Sequence, residues 1–331
     1  MKLGFVGYGA QAQENLIPCC RTLGGIEIAA ICDRDEAQRA IASRNYDADI
    51  IFDDYQEMIM EADLDAIIVA CYPKEHFEVA TFAMDHRLPV FVEKPPAPSS
   101  LHLEKMIELA GQSGVTTGVG MNFRFASVTR QLRAVSEGQI DCITLRHFCN
   151  KPTAPFWNQA NLLQSFLYSQ SIHSLDFLID LCGPVRDVAV TANNSTRRIL
   201  MTVMLRFSSG ASASLITSNT SPHFVFDFDA IAMGKRHVSS SSLWQLEVSE
   251  VGKVYNQAET KKWTDAWAPS PLDSGFVRSG YAGQMIEFLT AVREQREASI
   301  SFKSLRETYG CMDKIEESLR ADQQVLARRA S

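Results

Sequence analysis

The residues near the start of the chain whose types and spacing could do chemistry are Gly7-Tyr8-Gly9-Ala10-Gln11-Ala12, a G-x-G-x-x-A pattern. Two glycines let a backbone turn tightly and approach a pyrophosphate, and the small Ala12 lets the next helix pack on a sheet. A helix opening on this turn offers free N–H groups and the positive end of its dipole to an anion. Asp33 stands about 20 residues beyond Ala12, the spacing of a carboxylate that accepts from both hydroxyls of an adenosine ribose. Such a carboxylate repels a 2′-phosphate and favours NAD(H). The adjacent Arg34 carries a guanidinium that suits that phosphate, so NADP(H) stays open as the alternative. The eight cysteines form no C-x-x-C pair and no metal-ligand spacing, so no metal is expected.

The elements that must position these groups alternate between strand and helix. Residues 3–6 and 26–32 are apolar at nearly every position, as strands buried on both faces are. Further strands are expected at 49–52, 66–70, 89–93 and 116–120, with helices at 36–45, 55–62, 74–86 and 101–113. The first helix, 11–23, should bend at Pro18, which lacks an N–H, and end at Gly24-Gly25. Repeated βα units imply a parallel sheet covered by helices. Beyond Asn122 the pattern changes. A helix at 128–137, a strand at 142–148, an irregular stretch at 150–161 and a helix at 163–181 precede strand-like runs. These runs fall at 185–191, 200–207, 211–217, 224–233, 243–248 and 251–255, and turns such as Ser208-Ser209-Gly210 suggest antiparallel hairpins. Residues 239–242 and 263–280 read as loops, and helices at 282–294 and 304–326 close the chain.

A chain of 331 residues with 46% hydrophobic and 21% charged residues is expected to form two soluble globular domains. Its 32 basic and 39 acidic residues leave a net charge of −7, which argues against nucleic acid and against a polybasic membrane anchor. No stretch approaches the roughly 20 apolar residues of a membrane span. Met1-Lys2 runs straight into the first strand, so no leader is expected. Thiols set mostly in apolar runs suit a reducing cytosol, giving a cytoplasmic expectation.

More pieces fall at set places. Ala70-Cys71-Tyr72-Pro73-Lys74-Glu75-His76 ends the fourth strand and Glu93-Lys94-Pro95 the fifth. Gly120-Met121-Asn122-Phe123-Arg124-Phe125 follows the sixth, and Ile172-His173-Ser174-Leu175-Asp176 lies on a helix of the second half. With the Gly280-Tyr281 lead into the closing helices, this order resembles the glucose–fructose oxidoreductase / inositol dehydrogenase (Gfo/Idh/MocA) family over nearly the whole chain. The resemblance implies an α/β protein: a Rossmann domain over 1–122 and a substrate-binding and oligomerisation domain over 123–331 with a large, mostly antiparallel sheet. It implies NAD(P)-dependent oxidation or reduction of sugars, amino-sugars, cyclitols and related polyols at the carboxyl ends of the parallel strands. Lys94 would be the acid/base, and a desolvated lysine near an oxidised nicotinamide has the lowered pKa such a base needs. Gly7, Tyr8, Gly9, Ala10, Gln11, Asp33, Arg34, Cys71, Tyr72, His76, Glu93 and Asn122 would surround the cofactor. His173 would bond the substrate hydroxyl, with Asp176 one turn on. Arg124 would stabilise the domain junction.

One position departs from the family. Many of its sugar and cyclitol dehydrogenases have an aspartate four residues before the histidine, and here Ser169 stands there, which holds no charge at neutral pH. Either Lys94 and His173 suffice, or Tyr168 takes over, or the chemistry is reduction of an imine or activated ketone. A non-catalytic dinucleotide-binding regulator is the remaining alternative. Trp157, within Pro155–Gln159, and the run Trp263–Trp267 are candidates for lining a sugar face. Apolar runs such as Phe224–Phe228 suggest a homodimer or homotetramer through the exposed sheet face.

Overall fold

The computed structural model describes residues 1–251, 262–273 and 275–330. The chain divides into two units, Met1–Asn122 with Gly280–Arg306, and Phe123–Ser279 with Glu307–Ser331.

In the first unit, strands β1 (Lys2–Val6), β2 (Glu27–Cys32), β3 (Ile51–Phe52), β4 (Ala66–Val69), β5 (Val90–Val92) and β6 (Thr117–Val119) form one sheet. Every pair is parallel, in the order β3-β2-β1-β4-β5-β6. The central strands are apolar because both faces are covered, and β4 is buried at all four residues. The covering helices are α1 (Ile17–Thr22), α2 (Glu36–Ala42), α3 (Tyr55–Glu61), α4 (Pro73–Asp85) and α5 (Ser100–Ser113). Side-chain caps start several of them: Asp35 accepts from the Ala37 amide at 2.9 Å and Asp54 from the Gln56 amide at 2.6 Å. Strand order reverses beside β1, so the loops leaving β1, β2, β4 and β5 gather at one carboxyl edge, where such sheets bind ligands. The expected bend at Pro18 takes the form of an i→i+5 turn over Ala12–Leu16 just before α1.

The expected boundary assigned 280–306 to the second domain. The structure returns this segment to the first, because Phe288 packs on Phe91 at 5.6 Å and the Val119 amide donates to the Ile300 carbonyl at 2.8 Å.

The second unit holds helix α6 (Ser127–Ser136) and eight strands: β7 (Ile140–Phe148), β8 (Val185–Ala192), β9 (Leu200–Phe207), β10 (Ser212–Ser218), β11 (Val225–Ala232), β12 (Arg236–Ser241), β13 (Gln245–Val251) and β14 (Lys262–Trp267). Their order is β14-β13-β12-β11-β7-β10-β9-β8. All pairs are antiparallel except β7 with β10. Residues expected as one helix over 163–181 form α7 (Leu162–Phe166), an i→i+5 segment (Leu167–Ser171) and α8 (Ile172–Cys182). The chain closes with α9 (Gly275–Arg278), α10 (Tyr281–Glu294, in the first unit) and α11 (Arg306–Ala330).

Several expectations change here. The serines at 239–241 belong to β12 rather than a loop, because Val238 and Ser240 alternate inward while neighbouring strands pair on both sides. Residues 262–267 form the edge strand β14, since the prolines that argued for a loop begin only at Pro269. The run expected at 251–255 lies outside the described residues beyond Val251. Phe226 and Phe228 do not face outward as an assembly surface. Strand alternation turns both toward α8, where Phe177 meets them at 5.3 and 5.7 Å. Leu200 and Met204 of β9 and Ile231 of β11 are the large apolar residues on the open face. Among the described residues no helix is long and apolar enough to cross a membrane.

Candidate active site

Gly7 leaves β1 at φ +91°, and a Cβ there would lie 2.4 Å from the Ala70 carbonyl oxygen and 2.8 Å from Cys71 Sγ, so glycine alone fits this crossing. A Cβ on Gly9 would meet nothing within 4 Å, so the turn faces open space. A cavity of about 530 Å³ opens there, lined by Gly7, Gly9, Asp33, Arg34, Cys71 and Tyr72 among others. The Asp33 carboxylate is aimed by two backbone donors, Tyr8 N at 2.7 Å and Asp35 N at 2.9 Å. The Tyr8 amide and carbonyl both serve the turn, the latter accepting from Gln13 Nε2 at 2.5 Å, while its ring is buried edge-on against Tyr46. Ala10 is exposed at the start of the helix. Burial pushes the Cys71 thiol up to about 12, so it stays protonated. Sequence reasoning missed Asp53, Asp54 and Glu78, which also line the cavity. Their signal was position: the first two follow β3 and the third lies on α4, both at the carboxyl edge.

The E-K-P segment leaves β5 beside this turn. Glu93 is buried; its Oε1 accepts from Gln11 Nε2 at 3.0 Å and its Oε2 from the Lys94 amide at 3.2 Å. Gln11 Nε2 also donates to the Tyr281 hydroxyl at 3.2 Å, and Gln11 Oε1 accepts from Asn15 at 3.0 Å. Gly120 makes room for this carboxylate, since a Cβ there would sit 2.8 Å from Glu93 Oε1. Burial pushes the Glu93 pKa up, while the Lys94 ammonium and the Gln11 amide pull it back. Tyr281 is pushed up to about 12 by burial and by Glu93. The Gln11 side chain, expected on the cofactor, therefore ties the cradle helix to Glu93. Tyr281 entered the sequence reading only as part of a lead-in, with no role. The Lys94–Pro95 peptide is cis. Asn122 is buried at the start of a short turn after β6.

His76 was expected beside the cofactor and is instead buried. Its Nε2 accepts from the Cys71 amide at 2.8 Å, so its Nδ1 carries the proton and faces the Pro95 carbonyl at 2.9 Å. It pins the end of β4 to the E-K-P turn. Burial, opposed by the Pro95 bond and aided by the Lys94 charge, lowers its pKa to about 4.

In the second unit, His173 is half-buried on α8 and its ring lies 4.8 Å from that of Phe123, inclined by 33°. Phe224, half exposed, completes an aromatic wall 6.5 Å from Phe123. Asp176, one turn beyond His173 on the same helix, faces Arg124. It is buried, accepts Arg124 Nε at 2.7 Å, takes a second bond from Arg124 Nη2 and accepts from Thr308 at 3.3 Å. Arg124, expected at a domain junction, is thus bonded within the second unit. Ser169 is buried, and its hydroxyl donates to the Ser165 carbonyl at 2.6 Å. It lies in the i→i+5 segment, four residues before His173 at the start of α8. Trp157 sits at φ +56° in the irregular stretch, its ring 4.3 Å from Phe156, whose backbone is bonded to Ser165. Among the described residues no cluster of His, Cys, Asp and Glu could hold a metal.

A model of an oxidoreductase family with an NAD-binding Rossmann fold matches residues 1–121. A dehydrogenase from Chromobacterium violaceum is 36% identical and superposes with a TM-score of 0.93, covering 100% of this chain and 98% of that one. The inositol 2-dehydrogenase of Salmonella typhimurium is 26% identical over 185 residues, 54% of this chain and 53% of that protein. The chain thus spans about half the length of the curated relatives it matches. A levoglucosan dehydrogenase solved with NADH and levoglucosan is 16% identical, with a TM-score of 0.81 and 96% of each chain covered, and shares the fold.

Proposed function

Since the chain belongs to the Gfo/Idh/MocA family of oxidoreductases with an NAD-binding Rossmann fold, we propose that it oxidises a secondary hydroxyl of a cyclitol, sugar or amino-sugar with NAD, or reduces the matching ketone. The observation that carries this reading is the gathering, along one carboxyl edge of the parallel sheet, of the Gly7–Gly9 cradle, the fixed Asp33 carboxylate and Lys94. These groups fit a dinucleotide: the cradle is open at Gly9, and Asp33 keeps lone pairs for ribose hydroxyls beside its two backbone donors. Gly7, Gly9, Asp33 and Tyr72 would hold the adenosine and pyrophosphate end. The nicotinamide, when bound, supplies the hydride acceptor or donor.

The chain's own residues handle the proton. Lys94 takes it from the substrate hydroxyl during oxidation, or polarises the carbonyl as an ammonium during reduction. Glu93, bonded by Gln11 and by the Lys94 amide, fixes the backbone from which Lys94 projects. His173 bonds the hydroxyl oxygen. Phe123 and Phe224 suit the C–H face of a ring whose rim carries the hydroxyls, and Trp157 is a further candidate for that face. A homo-oligomer through the open sheet face around Met204 is part of the same reading, and light scattering tests it.

The deciding experiment is absorbance at the reduced nicotinamide band, with NAD and NADP each offered a panel of inositols, sugars, aminosugars and cyclic imines. Turnover of a cyclitol or sugar supports the reading. Turnover of cyclic imines alone would replace it, and NADH binding without turnover of any panel member would favour a sensor.

A further inference from the structure

We infer that Glu75 sets the cofactor preference of this protein by holding Arg34 away from the ribose 2′ position. The inference rests on the NAD reading above and deepens it. Among the described residues lining the cavity, Arg34 is the one lysine or arginine, against the carboxylates Asp33, Asp35, Asp53, Asp54, Glu75 and Glu78. Arg34 directly follows Asp33, the place from which a guanidinium grips a 2′-phosphate. Its backbone is fixed, because Arg39 Nη1 donates to the carbonyls of Asp33 at 2.9 Å and Arg34 at 3.0 Å. Its side chain reaches across the cavity to Glu75, with Nη1 3.1 Å from Oε1.

Burial does not hold the arginine there. The Arg34 side chain is 73% exposed and that of Glu75 is 24% exposed, so the carboxylate is the partner that fixes the pair. Glu75 is well placed for this role. It sits in the first turn of α4, where a negative charge is favoured by the helix dipole, and Pro73 fixes the start of that helix. An exposed ion pair is worth little in stability, so its presence costs the fold little and its loss leaves the fold intact. Its effect on a ligand is larger. A 2′-phosphate entering here meets Asp33 and its acidic neighbours while the one cation is engaged elsewhere.

The test is a titration of NADH and NADPH by nicotinamide fluorescence, read as the ratio of the two Kd values. The proteins are the unaltered chain, Glu75→Gln, Arg34→Ala and the double variant. The unaltered chain should prefer NADH. Glu75→Gln should shift the ratio toward NADPH by about five- to tenfold, the scale of one charge-assisted contact. Adding Arg34→Ala to Glu75→Gln should erase that gain, and Arg34→Ala alone should leave the ratio within about twofold. An unmoved ratio in Glu75→Gln overturns the inference, as does a gain that survives in the double variant, since that would be loss of negative charge alone. A ratio that Arg34→Ala alone drives further toward NADH also overturns it, because Arg34 would then already serve the phosphate. Failure of the unaltered chain to bind NADH would instead sink the dinucleotide reading itself.

Discussion

Each unit buries a carboxylate, and each compensates it by a different means. In the first unit Glu93 is 6% exposed and accepts from the neutral amide of Gln11 and a backbone N–H, with the Lys94 charge nearby. In the second, Asp176 is 2% exposed and takes two bonds from a single guanidinium, that of Arg124. The guanidinium and Asp176 cancel one another in a fork that leaves the arginine little freedom, and Asp180 lies 4.0 Å from the same arginine. Glu93 instead accepts from neutral donors, and the nearby Lys94 charge pulls its pKa back against burial. Both carboxylates stand in family-like motifs, yet one is held by neutral donors beside a lysine and the other by a guanidinium fork. The partner that neutralises the charge makes the difference.

Removing each cation tests that contrast. Lys94→Ala should lower kcat by about 10³-fold, within the range of lost general acid/base catalysis, while NADH still binds. Steady-state rates on whichever panel member turns over, beside a fluorescence titration, read both. A loss under tenfold would move the proton transfer to another group. Arg124→Ala should leave Asp176 buried without its partner and cost about 3–5 kcal/mol, read by urea unfolding. Replacing the pair together by Arg124→Leu and Asp176→Leu should recover much of that loss, as apolar substitutes for buried ion pairs do. A double variant as unstable as Arg124→Ala would mean that the pair does more than cancel charge.

The two units also differed in how much of them was legible in the sequence. The cradle could be read because its requirements are local: Gly7 at positive φ against Ala70, Asp33 one strand later, and apolar strands covered on both faces. The antiparallel sheet was legible as strands but not in its margins. The serines of β12 carry little intrinsic strand preference, and pairing on both sides decides their state. Phe226 and Phe228 read as an assembly surface because sequence gives the alternation without saying which face meets α8. At the site, residue types were visible but commitments were not. Gln11 bonds Glu93 across 82 positions, and Arg124 reaches Asp176 across 52, distances over which no pattern in one sequence reports a partner. Glu75 shows the same limit, as it was quoted only as part of a motif.

The last two expectations are smaller and sharpen the comparison at its polar, uncharged groups. His76 has a folded pKa near 4 against an ordinary value of 6.5, so its neutral form is the one the fold prefers. Stability from this group is therefore full above pH 6.5 and is lost as pH falls toward 4, by about 3 kcal/mol in all. Protonating Nε2 would bury a charge and turn the acceptor of the Cys71 amide into a donor. Unfolding measured at several pH values should show this acid-side loss, and His76→Gln should flatten it; an equal slope in both proteins would assign the loss elsewhere. Ser169 is the mildest case. Its hydroxyl is spent on the carbonyl one turn back, and no comparable charge change accompanies its loss. Ser169→Ala should cost about 1 kcal/mol and leave the pH dependence of kcat where it was. A shifted pH profile in that variant would show that the serine relays the proton from His173, and the second unit would then contribute more to the chemistry than a binding imidazole.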